Sequence, residues 1–219
     1  MAPNAFSIPF ERLPPTLPIF PLPNALVMPG CQLPLNIFEP RYLNIVFDAL
    51  AADRLIGMVQ PDPHADGDLP IYGIGTAGRI MSFNETQDGR LLIVLTGVCR
   101  FDVGEEIPTT RGYRRVAVDW SRFDCDYEIP GDAPCYDRDR LMGLLKEYFQ
   151  RKGFETNWAA MEQMPATLLI NVLTGQLPFD APERQALIEA VSPEERAGKL
   201  INLLEFDVIG NTMADGTRH

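Results

Sequence analysis

Few side chains in this sequence are of a kind that makes or breaks bonds. Its two histidines, His64 and His219, stand in a Pro/Asp-rich stretch and at the last position. That leaves almost nothing for a histidine metal site or a Ser–His–Asp relay. Cys31 with His64 is the one Cys–His couple on offer, and no third group is placed to orient it. Beside Pro29-Gly30, Cys31 reads as a small hydrophobe packed behind a turn. Lys146 and Lys199 fall on helical stretches among charged neighbours and support no Ser–Lys dyad. Glu105-Glu106 closes a strand near a turn, where a solvated rim accounts for both carboxylates. No catalytic, metal-ligating or cofactor-binding set assembles from these parts.

Two motifs need a closer reading. Gly73-Ile-Gly75-Thr-Ala-Gly78 has the glycine spacing of a dinucleotide fingerprint. That fingerprint works only when a helix follows, so that a pyrophosphate meets its N-terminus. Here RIMSF follows, which is β-type, and a bent or bulged strand relieved by glycine is expected instead. The second motif is NIFEPRY, Asn36 to Tyr42, with Glu39 and Arg41 on either side of Pro40. Opposite charges around a proline can be a catalytic pair, a ligand clamp or a pin between strand and helix. Pro40 suits a first helical turn, Glu39 lies near the positive end of the helix dipole, and Arg41 can turn back to Glu39. A pinned junction is therefore expected. Ligand contact through Phe38, Glu39, Arg41 or Tyr42 is the alternative, and these four are the candidate binding residues.

The elements that hold these motifs follow from periodicity. Strands are expected at Leu17–Leu22 and Gln32–Phe38, both broken by proline and so suited to edge or bulged strands better than central ones. Further strands are expected at Leu55–Val59, Tyr72–Phe83, Arg90–Val98, Cys99–Ile107 and Tyr113–Trp120. Asp88-Gly89 signals a hairpin between the fourth and fifth of these seven spans, 72–83 and 90–98. Tyr42, Ile45, Val46, Ala49 and Leu50 form one apolar helical face. After an acidic, aperiodic stretch the rest is helical. Asp137 or Asp139 caps a helix, another runs near 157–164, and Pro165 opens one that Gly175 should stop. Asp180–Glu183 and Ser192–Glu195 are capping boxes. Strands first and helices later give an α+β class. The expected division is 12–123 for a β-rich unit, 124–136 for a linker, 137–209 for a helical unit and 210–219 for a flexible tail.

Composition narrows the partners. A net charge of −11 over 219 residues argues against nucleic acid, whose binding rests on clustered Lys and Arg. No run of about 18 apolar residues is present to span a bilayer, and the first residues lack the basic and apolar regions of a secretory signal. The four cysteines, 31, 99, 125 and 135, have neither C-x-x-C spacing nor the density of a disulfide scaffold. Reduced thiols in a cytoplasm are expected, with Cys125 and Cys135 the pair that oxidation would join.

The blocks LPIFPLPNALVMPGCQLPLNIFEPRY, DRLIGMVQP, IGTAGRI and DGRLLIVLTGVCRF, followed by LPFDAPERQALIEAVSPEERAGKLINLLE, resemble in order the LON substrate-binding domain. That is the N-terminal domain of the Lon ATP-dependent proteases, and the chain resembles in particular the bacterial proteins made of that domain alone. The resemblance implies a PUA-like β pseudobarrel with one helix, followed by a helical unit. It also implies capture of unfolded or extended polypeptide, weak self-association and service to a separate protease. The ATPase and Ser–Lys peptidase of those enzymes lie beyond the matching region, so no enzymatic activity is expected of these residues. PUA-like barrels elsewhere hold RNA or small ligands, which is the rival reading.

Overall fold

The computed structural model describes residues 8–23, 25–66, 70–127 and 136–215. Cys135 and most of the expected acidic linker lie outside the described residues. Six strands form one sheet: β1 Thr16–Pro21, β2 Gln32–Ile37, β3 Leu55–Val59, β4 Ile74–Glu85, β5 Leu91–Ile107 and β6 Arg114–Asp119. Their order is β2-β5-β4-β3-β1-β6, and β5 pairs with β6 as well. That second pairing joins the two ends of the run from β5 to β6 into a ring, from which β2 projects.

The strand β1 corrects the expectation of an edge. It lies between β3, parallel to it, and β6, antiparallel to it. Its prolines are tolerated because the two ladders are offset. Pro18 falls before the β3 pairing at Ile19–Pro21 begins, and Pro21 falls after the β6 pairing at Thr16–Ile19 ends. Each proline thus lacks a donor toward one neighbour at most. β2 is the strand at the edge, paired with β5 alone among the described residues.

The two strands expected at 90–98 and 99–107 are a single strand, β5. It pairs with β2 and β4 along its first part and with β6 along its last. Gly97 and Cys99 face Gly78 and Ala77 across a register shift. A Cβ on Gly97 would stand 2.1 Å from the Met28 carbonyl oxygen, so the loop after β1 crosses the strand where only glycine fits. The sequence break there is a bulge with a crossing, not a turn.

Helix α1, Pro40–Leu50, covers one face of the sheet. Ile45, Val46 and Ala49 pack with Phe20, Ile56, Met58, Ile80, Leu91, Ile93 and Leu95. The inside of the ring is filled by Leu17, Ile19, Ala77, Cys99, Phe101, Val116 and Trp120, closed by Phe123. Phe123 belongs to a 3-10 segment, Ser121–Tyr127, which takes in the first residues of the expected linker.

The helical part comprises α2 Arg138–Lys152, α3 Trp158–Gln163, α4 Ala166–Gln176, α5 Ala181–Glu189 and α6 Pro193–Asp215. Asp137 caps α2 by accepting from the Arg140 amide, and Gly153 at φ +69 ends it. The box at Asp180–Glu183 forms with both bonds present. At α6, Ser192 Oγ accepts from the Glu195 amide, while Glu195 reaches back to Val191 instead of Ser192. Gly175 does not stop α4, which continues to Gln176 and is capped by Leu177. The backbone of α6 is helical through the first residues of the expected tail. Leu141, Leu145, Tyr148, Leu169, Ile170, Leu173, Leu187, Leu200 and Leu204 make a separate core among these helices.

Candidate functional site

Two apolar hollows flank the edge strand β2. The first is a depression of about 380 Å³ on the sheet face turned away from α1. Register places Pro34 beside Val94 and Ser82, and Asn36 beside Leu92 and Asn84. These residues lie on the solvent side because their neighbours Leu91, Ile93 and Leu95 point into the core under α1. None of the residues lining the depression is charged. Leu92 is 44% exposed, and Phe38, at the end of β2 on the same side, is 59% exposed.

The second hollow, about 200 Å³, lies between the loop joining β1 to β2 and helix α4. It includes Gln32, the first residue of β2. Burial pushes the thiol of Cys31, on its wall, up to about 11, with Arg196 opposing the rise. Such a thiol is a poor nucleophile at neutral pH. His64 stands elsewhere, in an exposed loop where its amide donates to Asp62.

The four candidate binding residues do not form one cluster. Glu39 and Arg41 pair across Pro40 at 2.9 Å on the surface, and Glu39 occupies the N-cap of α1 with Pro40 beginning the helix. Arg41 lies 4.5 Å over the Tyr42 ring. Tyr42 is buried and stacks on Phe20 with centroids 3.9 Å apart. This geometry is that of a pinned strand-to-helix junction. Phe38 alone faces outward toward the depression, under the Arg90 guanidinium at 5.4 Å.

The glycine motif has an equally structural cause. A Cβ on Gly75 would meet the Met58 oxygen at 2.7 Å and the Phe101 ring at 2.8 Å, and one on Gly78 would crowd Leu95 at 3.0 Å. Both lie inside β4, with a register shift at Ala77/Gly78. They let strands and rings approach closely, and no helix N-terminus follows to receive a phosphate.

A polar joint between sheet and helices escaped the reading of motifs. Arg100 on β5 is fully buried and donates to both oxygens of Asp126 and to the carbonyls of Ile188, Ala190 and Val191. Arg196, also buried, donates to Asn171 Oδ1 and to the carbonyls of Leu187 and Ala190. Asn171 in turn donates to the Pro29 carbonyl at 2.9 Å. Burial and the nearby Arg100 charge bring Arg196 down to about 10. The available signal was an arginine inside the apolar run VLTGVCRF, since a charge there must be paired when buried.

The sequence matches the profile of the ATP-dependent protease La (LON) substrate-binding domain over residues 16–205. The chain belongs to this family. Lon protease 2 of Myxococcus xanthus is 32% identical over 212 residues, covering 89% of this chain and 24% of that protein. The Lon protease of Flavobacterium johnsoniae is 25% identical over 206 residues, 90% of this chain and 25% of that protein. The chain thus spans about a quarter of the length of these relatives. In fold it is similar to a Lon N-terminal domain protein from Xanthomonas campestris, with TM-score 0.62 at 24% identity over 85% of this chain and 97% of that one. The N-terminal domain of the Mycobacterium avium complex Lon protease gives 0.60 at 19% identity, over 87% and 98%. No helix among the described residues is long and apolar enough to cross a membrane.

The region around β2 presents uncharged apolar side chains beside a strand edge that is unpaired among the described residues. Among the described residues no group of three or more His, Cys, Asp or Glu is arranged to hold a metal ion.

Proposed function

We propose that this chain is a non-catalytic module that binds exposed apolar or extended segments of other polypeptides in the cytoplasm, for use by a separate protease. The closed part of the sheet serves as a PUA-like pseudobarrel that presents the site. The observation that carries the reading is the uncharged depression of Pro34, Leu92 and Val94 beside the free edge of β2, with Phe38 exposed at its end. A sheet edge offers unpaired main-chain groups, and an extended segment that adds to it finds side-chain contacts at every second residue. Strand addition belongs at β2, because both sides of β1 are already paired.

The test is anisotropy of a fluorescent, permanently unfolded carboxymethylated polypeptide titrated with the protein and with Phe38→Ser/Leu92→Ser. Burying one large apolar side chain is worth about 1.5–3 kcal/mol, and 1.4 kcal/mol is tenfold in affinity. The double variant should therefore bind at least tenfold more weakly while its circular dichroism stays that of the parent. Absence of binding by the parent, or equal binding by both, refutes the proposal. In a parallel filter-binding titration with single-stranded RNA, binding that weakens steeply as salt rises from 50 to 200 mM favours the RNA reading instead.

A further inference from the structure

The hollow between the β1–β2 loop and α4 plays no part in the surface just proposed, yet it adjoins the same strand. Its walls are Leu26 and Met28 from the loop and Leu168 and Val172 from α4, with Cys31 and Gln32 beside them. No charged side chain lines it. Its one polar group from α4's buried side, Asn171, is engaged at both ends, by the Pro29 carbonyl and by Arg196. The other polar lining residues, Gln32 and Gln176, are exposed, so polar contacts are offered at the rim while the inner wall demands an apolar group.

Volume decides what kind of apolar group fits. A dry cavity of about 150 Å³ accepts benzene, while small-molecule sites begin at about 300 Å³. At about 200 Å³ this hollow suits one phenyl or branched aliphatic side chain and is too small for a drug-sized compound. Gly175 keeps it open from within α4, where the space of a missing Cβ has the Leu26 oxygen as its neighbour at 3.7 Å. Gln32 belongs both to the hollow and to the edge strand, so a segment paired with the start of β2 has the hollow beside it. Among polypeptide ligands, an extended backbone is the one that can pair with successive amides and carbonyls of such an edge in place of water.

We infer that this hollow is an anchor subsite for one aromatic or branched aliphatic side chain of a polypeptide segment laid as an added strand along β2. The inference rests on the proposed function and names the feature such a segment must carry. The Cys31 thiol, held protonated by burial, serves as a wall and not as a covalent trap.

The experiment uses the full chain and labelled ten-residue peptides of Thr, Val and Ser with Phe, Trp or Ala at one central position. The parent should bind the Phe peptide at least tenfold more tightly than the Ala peptide. Gly175→Leu places a side chain in the hollow at an ordinary contact distance, and should erase that difference while leaving the Ala peptide's affinity as it was. Leu168→Ala, at a half-buried position, enlarges the hollow and should move the preference from Phe to Trp. If Gly175→Leu does not fold, the Phe-to-Trp exchange in Leu168→Ala decides alone. Equal affinity for Phe and Ala peptides in the parent, or an unchanged preference in these variants, overturns the inference. When that occurs while the carboxymethylated polypeptide still binds through Phe38 and Leu92, only the anchor is lost; when the parent binds neither probe, the broader reading falls with it.

Discussion

Replacing Arg100 by methionine tests whether the sheet and the helices are held together by one buried joint. The guanidinium is wholly buried, and its partner Asp126 has a side chain only 6% exposed. Removing the cation leaves that carboxylate without its counter-ion and strips donors from the carbonyls of Ile188, Ala190 and Val191. Breaking a buried pair by deleting one partner costs roughly 3–5 kcal/mol. The orphaned carbonyls add to that wherever water cannot reach them. For a chain of this length each kcal/mol lowers the melting temperature by about 2–4 °C, so a fall of roughly 6–20 °C is expected.

The two tryptophans make the assay specific. Trp120 packs inside the ring and Trp158 against the helical core. In single-tryptophan versions, urea unfolding of the parent should give coincident midpoints, the mark of one cooperative unit. In Arg100→Met the two midpoints should separate, because the contacts that couple the layers are gone. Adding Asp126→Asn should recover part of the lost stability by removing the uncompensated charge. A loss below about 1 kcal/mol, or midpoints that still coincide, would show that apolar contacts such as Ile188 against the ring core carry the coupling.

Other outcomes follow from the same geometry. Gly97→Ala should destabilise by at least the 1–3 kcal/mol typical of overpacking, since its Cβ meets the Met28 backbone at 2.1 Å; urea midpoints measure it. Asp48 is set against burial by bonds from Tyr113 and Arg111, and its carboxyl titrates below the ordinary value. Its stabilising effect is full above the unfolded carboxylate value and lost as pH falls through the lowered folded one. Asp48→Asn should therefore flatten the acid limb of a stability–pH curve measured between pH 6 and 2. With Cys31 raised to about 11, its alkylation by iodoacetamide at pH 8 should be roughly a hundredfold slower than that of an exposed thiol. Peptide mapping by mass spectrometry reads that rate, and urea should abolish the protection.

Local physics made much of this fold readable. The stripe of Tyr42, Ile45, Val46 and Ala49, the caps at Asp137 and Asp180, and the Asp88-Gly89 hairpin turn each depend on residues a few positions apart, and the structure contains them all. Gly89 has φ +79 and its amide bonds to the Thr86 carbonyl. What escaped depends on contacts across the chain. The bulged strand expected at Gly75 and Gly78 is present, but Gly97 in β5 looked like a strand break because its reason, the Met28 backbone, is distant in sequence. Gly175 resembled a helix stop for the same cause; the loop at Leu26 lies against it.

The expectation of an edge, met by β2 and not by β1, carries the same lesson into function. Proline in a strand signals an edge because it cannot donate to a ladder, yet β1 and β2 both contain proline. Composition cannot rank them. What separates them is the stagger of the β3 and β6 ladders over β1, which leaves each of its prolines one neighbour, against the single neighbour of β2 along its whole length. In β1 both faces are buried, Leu17 and Ile19 in the ring and Phe20 under α1, whereas Gln32, Pro34 and Asn36 of β2 alternate outward into solvent. An edge that remains open, with proline limiting how far another strand can extend along it, permits brief pairing with a short segment and resists indefinite stacking of copies. That balance is what a protein needs if it is to hold unfolded chains without joining them in aggregation.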